Sequence, residues 1–396
     1  MSREAETNAT ASGRPHIPQS AFAGDLSEAE VWWRDHQVWL EQRGYMLRPR
    51  YRPDWVPSWH KDGGSDRDYY LREDGRNIVR SCVLDATRVS DGVVVGLKKI
   101  SQSVHPHEVS ISCYFSDEPR ASDPANHCVP IYEVLEDPDD PDIRVMVMPL
   151  LRDFSDPSFL TIGEAVEFFR QAFEGLRFIH SHNVAHRDCG KMNIMMDPRP
   201  LYPNLYHFIN TSQNRDLSGT AKHYTRTRFP VKYYFIDFGL SRKYDPANGP
   251  PRSYPIRGGD KSVPEFKKSL DPCDPFPTDI YYLGNVIRTV FLEVDVLALS
   301  GIQHELTQLR FQEYNGLEFM QPLVDDMVQE EPTKRPNMDQ VVARFDNILG
   351  SLSNWTLRSR LPPKDEIWLF RYYRVVRHVF HTIFYVLMRR PALPRP

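Results

Sequence analysis

The sequence predicts an α+β protein of two lobes or more than one domain, a β-rich part that suits an antiparallel sheet followed by a mainly helical one. Three observations carry this. Between about Tyr69 and Met148 the chain is a succession of short β-rich runs broken by turn signals such as Asp91-Gly92. From Thr161 the period changes, and Ala165, Val166, Phe169, Phe173, Leu176 and Ile179 recur at helical spacing. The length, 396 residues, exceeds what one hydrophobic core usually spans.

Composition narrows the class. The chain is 40% apolar and 26% charged, as ordinary globular chains are. A formal net charge of -4 carries no global nucleic-acid signature, so no nucleic-acid partner is expected. Cys82, Cys113, Cys128, Cys189 and Cys273 are odd in number, scattered and without metal-type pairing. They point to reduced thiols in an intracellular compartment, cytoplasmic or nuclear. Met1 to Phe22 has no apolar core of a secretory signal. No uncharged apolar run reaches the roughly 18 residues of a spanning helix, so the Asn8-Ala9-Thr10 sequon is expected to stay idle.

The pattern divides the chain into an N-terminal extension (1–65), a β-rich segment (66–150), a helical segment (151–350) with an insertion at about 198–228, and a C-terminal extension (351–396). Residues 1 to about 25 are polar and read as disordered. Asp25 to Gly44 reads as one helix, started by Ser27 and Glu30 as a capping box and stopped by Gly44. Its Val31, Trp32, Val38 and Trp39 need a surface to cover. The Pro-rich stretch Arg48 to Pro57 reads as a linker or clamp. Ile78-Val79, Cys82-Val83-Leu84 and Val93-Val94-Val95 read as strands. Asn126 to Glu136 and Ile143 to Met148 read as two more, around a solvated acidic turn at 136–142. Thr161 and Glu164 form a second capping box. From Thr278 a helix is apolar nearly all round (Ile280, Leu283, Val286, Ile287, Val290, Phe291) and should be buried.

Two stretches carry chemistry. His186-Arg187-Asp188-Cys189-Gly190-Lys191-Met192-Asn193 follows the first long helix as a loop, and Asp237-Phe238-Gly239 closes the apolar run Tyr233 to Ile236. An Asp with an Asn five residues on, then a second Asp at a strand end, suits phosphoryl transfer. One carboxylate accepts the proton of the attacking hydroxyl, while the Asn and the other carboxylate hold magnesium. The stretches resemble the H-R-D-x-x-x-x-N and D-F-G motifs of the eukaryotic protein kinase superfamily. The resemblance runs from roughly Tyr69 to Gly350 and is that of a divergent member, of a kind abundant in fungi.

The resemblance implies a bilobal protein-kinase-like fold that binds ATP and Mg2+ in a cleft and phosphorylates a protein substrate, on Ser or Thr rather than Tyr. Asp188 is then the base, with Lys191 and Lys98 as catalytic cations. Val95-Gly96-Leu97-Lys98 resembles V-A-I-K, with Lys99 as the fallback if the register slips. Glu108, only 108 − 98 = 10 residues on, is the partner of Lys98. Met148 and Leu150 lie at the hinge against the adenine, and Asn193 and Asp237 hold the metal. His186, Arg187, Phe238, Gly239, Glu265, Asp279 and Arg335 are structural support, Glu265 pairing with Arg335 and Asp279 bracing the loop backbone. The chain departs from the family at Arg76, Ile78 and Ser81, where lid glycines belong. It departs again at Gly190, where a Lys is usual (Lys191 is one place later), and at Gly258, where many serine/threonine kinases carry a hydroxyl. A catalytically weak pseudokinase scaffold and a small-molecule phosphotransferase are the alternatives.

Two stretches fall outside the motifs. Asn193 and Asp237 are 237 − 193 = 44 positions apart. The polar excess between them should project as a surface loop ending in Lys222, His223, Arg226 and Arg228, either solvated or docking acidic partners. Lys364 to Arg390 reads as a basic amphipathic helix, with Arg371, Arg374, His378 and His381 on one stripe and Val376, Phe380, Ile383 and Leu387 on another. It suits a peripheral membrane surface or an acidic partner, or docking on the body of the protein.

Overall fold

The structure is a computed structural model and describes residues 25–61, 66–78, 81–256, 259–292, 314–362 and 368–396. The expectations for residues 1–24, Val79 and Gly258 lie outside them.

An antiparallel sheet organises the first part. Val83–Arg88 (β2) and Val94–Ser101 (β3) form a hairpin turning at Gly92, whose φ of 72° suits a residue without Cβ. Ile143–Pro149 (β5) pairs with β3 on its other side, and Glu133–Glu136 (β4) forms one edge. The strand expected over 126–136 is therefore only its last four residues. Tyr45–Met46 (β1) closes the opposite edge against Arg88 and Thr87, giving the order β1-β2-β3-β5-β4.

Alternation along the strands gives the sheet two faces of different use. Leu84, Ala86, Val95, Leu97, Val145 and Val147 point one way and are buried with Trp33, Leu40 and Tyr51. Val83, Gly96, Lys98, Met146 and Met148 point the other way, into a cleft. The N-terminal stretch thus covers the back of the sheet. Its expected single helix is two, Glu28–Asp35 (α1) and Gln37–Gln42 (α2). They break at His36, whose ring stacks on Trp32 at 4.0 Å. Glu30 accepts from the Ser27 N–H at 3.0 Å, as its capping role requires, and is also buried against Arg50 (3.1 Å) and the Tyr51 hydroxyl (2.9 Å). Arg48 reaches Asp85 on β2 at 3.1 Å. The Pro-rich stretch is therefore a strap tied to the sheet by buried charge pairs rather than a linker.

The second part is mainly helical. Glu108–Ser116 (α4, after the short Ser58–Lys61, α3) leans on it from the sheet side. Ile162–Ser181 (α5) is buried on nearly every side. Its cap Thr161 accepts from the Glu164 N–H at 3.2 Å, while the Glu164 carboxylate takes the Leu160 and Thr227 N–H groups, both at 2.8 Å. The second half of the expected box is diverted because Thr227 arrives there. Phe154, Phe159, Phe168 and Phe291 stack in the centre, Phe154 on Phe168 at 4.3 Å. Short ladders follow: Arg152–Asp153 (β6), Ile194–Met196 (β8) and Tyr233–Phe235 (β9) in one, Val184–Ala185 (β7) and Arg242–Lys243 (β10) in another. Pro264–Lys268 (α6), Pro275–Ile287 (α7), Gln321–Met327 (α8), Met338–Ser351 (α9), Asn354–Arg358 (α10) and Trp368–Leu387 (α11) complete the described elements.

The insertion is anchored along part of its length, although Lys222, His223 and Arg228 of its basic end are exposed as expected. Leu201, Tyr202, Tyr206 and Ala221 are buried in the main core. Arg226, expected in an exposed basic cluster, is buried, donates to the Phe154 carbonyl at 2.8 Å and lies over the Phe159 ring. Arg152 sits over both Tyr202 and Tyr206. A polar, turn-rich average hid a regular supply of aromatic anchors.

Candidate active site

β3 sets the first side chain. Lys98 stands opposite Val83 and Met146 on the cleft face, whereas Lys99, one residue on, lies over the Trp32 ring at 4.7 Å behind the sheet. The Lys98 ammonium donates to the Glu108 carboxylate and to Asp237 Oδ1, the latter at 2.9 Å. Ten residues suffice to reach Glu108 because it is the first residue of α4, where a carboxylate also suits the helix dipole. Burial works against the charge on Lys98, but the two carboxylates outweigh it and hold its pKa above the usual range.

Asp237 adopts a left-handed conformation, φ 63° and ψ 67°. Its neighbours hold it there. Phe238 packs between Phe115 (5.7 Å) and His186 (5.1 Å). Gly239 fits where a Cβ would come within 2.8 Å of His105 Nδ1 and 3.1 Å of Glu108 Oε2. Burial alone would raise the Asp237 pKa, but the Lys98 charge and hydrogen bond bring it below the ordinary value.

The loop after β7 is pinned from beneath. Asp279, fully buried on α7, accepts from the backbone N–H groups of His186 (2.7 Å) and Arg187 (2.6 Å), and His180 Nε2 lies 3.0 Å away. Arg187 thereby holds φ 68°. His186 is buried and depressed in pKa for that reason. It donates through Nε2 to the Ile236 carbonyl at 3.0 Å, joining the loop to the strand that ends at Asp237. Cys189 is buried with Sγ against the Asp279 carbonyl. Asn193 Nδ2 donates to the Asp188 carbonyl at 2.7 Å and to Asp188 Oδ2 at 2.8 Å. Burial raises the Asp188 pKa to about 6, with the Asn193 hydrogen bond opposing and the charges of Asp237, Asp279 and Asp260 adding to it.

A cleft of about 300 Å³ runs between the sheet and the helical part, lined among others by Gly96, Lys98, Met148, Leu150, Lys191 and Asp237. Five residues singled out by motif are thus linked directly, Lys98 to Glu108 and Asp237, and Asn193 to Asp188. Met148, Leu150 and Lys191 stand on the wall. Glu265 and Arg335 take no part in the lining. They form a bidentate pair at 2.7 and 2.9 Å, with Thr278 donating to Glu265 at 2.8 Å. Arg187 donates to the carbonyls of Leu240 and Tyr254 at 3.0 and 2.9 Å.

The chain is similar to a protein kinase. It is 21% identical over 246 residues to "Serine/threonine-protein kinase PLK4" of Aedes aegypti, a match taking in 61% of this chain and 26% of that protein. The chain therefore spans about a quarter of the length of this curated relative. No family model matches.

Three features of the site escape motif reading. Phe208 and Ile209, from the insertion, line the cleft beside Leu151 and Met192. Two aromatics within Leu205-Tyr206-His207-Phe208-Ile209 were the available signal. Gly259, at φ 71°, passes so close that a Cβ there would lie 2.3 Å from Asp188 Oδ1. His105 Nδ1 lies 3.3 Å from the Gly239 carbonyl, tying the stretch before α4 to the turn after Asp237. The carboxylate of Asp237 and the amide oxygen of Asn193 are hard oxygen donors, which suit magnesium rather than a transition metal.

Proposed function

We propose that this chain is a protein kinase of bilobal kinase-like fold. In this reading it transfers the γ-phosphoryl group of ATP to a hydroxyl of a protein, on Ser or Thr rather than Tyr, in a magnesium-dependent reaction. The observation that carries this reading is the Lys98 ammonium shared between Glu108 and Asp237 at the wall of the cleft, close enough to the Asp188–Asn193 pair for the Asp237 charge to act on Asp188. Lys98 orients the triphosphate, and Glu108 holds Lys98. Asp237 and Asn193 hold the metal. Magnesium, when bound, neutralises negative charge on the triphosphate. Met148 and Leu150 give the base an apolar wall. Asp188 accepts the proton of the acceptor hydroxyl as its oxygen bonds to the γ-phosphorus. The bridging P–O bond breaks and ADP leaves. A pKa of about 6 leaves Asp188 ionised yet basic at neutral pH. Lys191 lines the cleft and supplies the positive charge that Gly190 cannot. Five free cysteines fit a reducing compartment, the cytoplasm or nucleus.

The test is γ-phosphate transfer to a mixed protein substrate by the wild type, Asp188→Ala and Asp237→Ala. Transfer by the wild type, lost in both variants, is the expected result. Full activity in either variant refutes the site. Nucleotide binding without transfer by the wild type replaces the reading with that of a catalytically weak scaffold, which the missing lid glycines favour.

A further inference from the structure

α11 lies on the body with its polar side inward. His378, His381 and Thr382 are half-buried, Tyr385 is buried, and the Tyr385 hydroxyl hydrogen-bonds Thr225 Oγ1 at 2.7 Å. With Thr161, Glu164 and Arg360 they line a polar cavity of about 420 Å³. The chain beyond the helix is anchored as well. Ala392 is buried in the main core, where a Cβ on Gly163 would come within 2.2 Å of its carbonyl oxygen, and Arg358 donates to the Arg390 carbonyl. These contacts fix which side of the helix faces out.

The outward side is apolar. Tyr372, Val376, Val379, Phe380, Ile383 and Leu387 follow one another at i, i+4, i+7, i+8, i+11 and i+15, all exposed, Phe380 at 68% and Leu387 at 75%. A helix that had only to pack on its own protein would turn this stripe inward. A contiguous exposed apolar surface marks an interaction site.

We propose that this face lies flat on an anionic membrane surface. Charge decides between the occupants. After Glu366 the chain contains no acid and six arginines; Arg371 on α11 and Arg389, Arg390 and Arg395 after it are exposed, while Arg374 and Arg377 also line the inward cavity. A second copy would set arginines against arginines, whereas acidic headgroups complement them. Tyr372, Tyr373, Phe380 and Phe384 supply the aromatic rings that favour the headgroup boundary. The helix lies in the plane, since no helix of the described residues is long and apolar enough to cross a membrane.

Flotation of the full chain on sucrose gradients tests this, with vesicles of phosphatidylcholine alone and of phosphatidylcholine with phosphatidylserine. The wild type is expected to float with the anionic vesicles and to be released by high salt. Phe380→Glu with Ile383→Glu removes two apolar side chains from the contact and should weaken partitioning about 100-fold. Arg371→Glu with Arg390→Glu should abolish the preference for phosphatidylserine. All four positions are exposed, so an unchanged circular dichroism melt verifies folding. A wild type that stays at the bottom of the gradient, or a Phe380/Ile383 variant that floats like it, overturns the proposal. So does concentration-dependent self-association abolished by the same variant, which would assign the face to a second copy.

Discussion

Replacing Lys98 with methionine tests the charge relay under the sheet, because methionine keeps an unbranched apolar stem and removes only the ammonium. The side chains it leaves behind differ in their access to water. Asp237 is 39% exposed and can turn its charge to solvent, whereas Glu108 is 1% exposed and cannot. The loss is therefore that of a buried pair broken from one side, about 3 kcal/mol, at the low end of such cases because the Lys98 end opens on the cleft. Glu108 escapes by taking up a proton. A carboxyl whose folded pKa is raised loses stability as pH rises through that pKa, and the loss is absent below its unfolded value, about 4.3 for Glu. The deficit should accordingly be largest at neutral pH and shrink on acidification. Urea unfolding of wild type and Lys98→Met across pH, followed by circular dichroism, measures it. Adding Glu108→Gln to Lys98→Met should recover about half the stability, while phosphoryl transfer stays lost. A deficit under about 1 kcal/mol at neutral pH, or one independent of pH, would show that Glu108 does not depend on Lys98 for its burial.

Three further outcomes are expected. With Asp188 raised to about 6, kcat/KM for ATP should fall about tenfold per pH unit on the acid side of that value, and an acid limb near the ordinary Asp value of about 3.9 would refute the role of Asp188 as base. Phe208→Ala should weaken binding of a non-hydrolysable ATP analogue about 10-fold by calorimetry, with Phe208→Leu close to wild type; unchanged affinity in Phe208→Ala would remove the insertion from the nucleotide wall. Arg335→Ala leaves Glu265, 10% exposed, without its bidentate partner and should cost about 3 kcal/mol in urea unfolding. A loss below about 1 kcal/mol there would mean that Thr278 alone satisfies Glu265.

How much of this was legible in the sequence depends on the range of the interaction. The site stretches could be picked out because the proposed roles need fixed residue types at fixed offsets; the structure shows Asn193 meeting Asp188 across five positions and Phe238 buried beside Asp237. Lys98 was preferred to Lys99 only through the resemblance to V-A-I-K; that the two face opposite ways was readable because a strand alternates, and the structure puts Lys98 on the cleft face and Lys99 behind the sheet. Glu265 and Arg335 were linked only through the resemblance, since nothing local ties residues 70 positions apart. The N-terminal stretch misled because proline and arginine read as a linker, whereas Arg48 and Arg50 are buried against Asp85 and Glu30. No pattern within 48–57 announces partners that lie elsewhere in the chain. The insertion misled for the same reason, its Tyr202, Tyr206 and Arg226 being anchors whose counterparts lie at 152–159.

These two misread stretches bear on the missing glycines. β1 pairs only with Thr87 and Arg88, the far end of β2, so the cleft end of β2 at Val83 has β3 alone beside it. Gly75, the glycine nearest in sequence, is used elsewhere, since a Cβ there would fall 2.0 Å from the Tyr69 carbonyl oxygen. A lid built on backbone N–H groups close to phosphate needs residues without side chains, and Arg76, Ile78 and Ser81 are not such residues. The insertion meets the sheet at the other end of β2, where Tyr206, His207 and Phe208 lie beside Asp85, Ala86 and Thr87. His207 lies 3.6 Å from Glu73, Arg152 holds the Thr211 carbonyl at 2.9 Å, and between these ties Phe208 and Ile209 turn to the cleft. On the proposed reading, affinity for a nucleotide should therefore rest on its base, against this apolar wall, and on Lys98 more than on main-chain contacts to the phosphates.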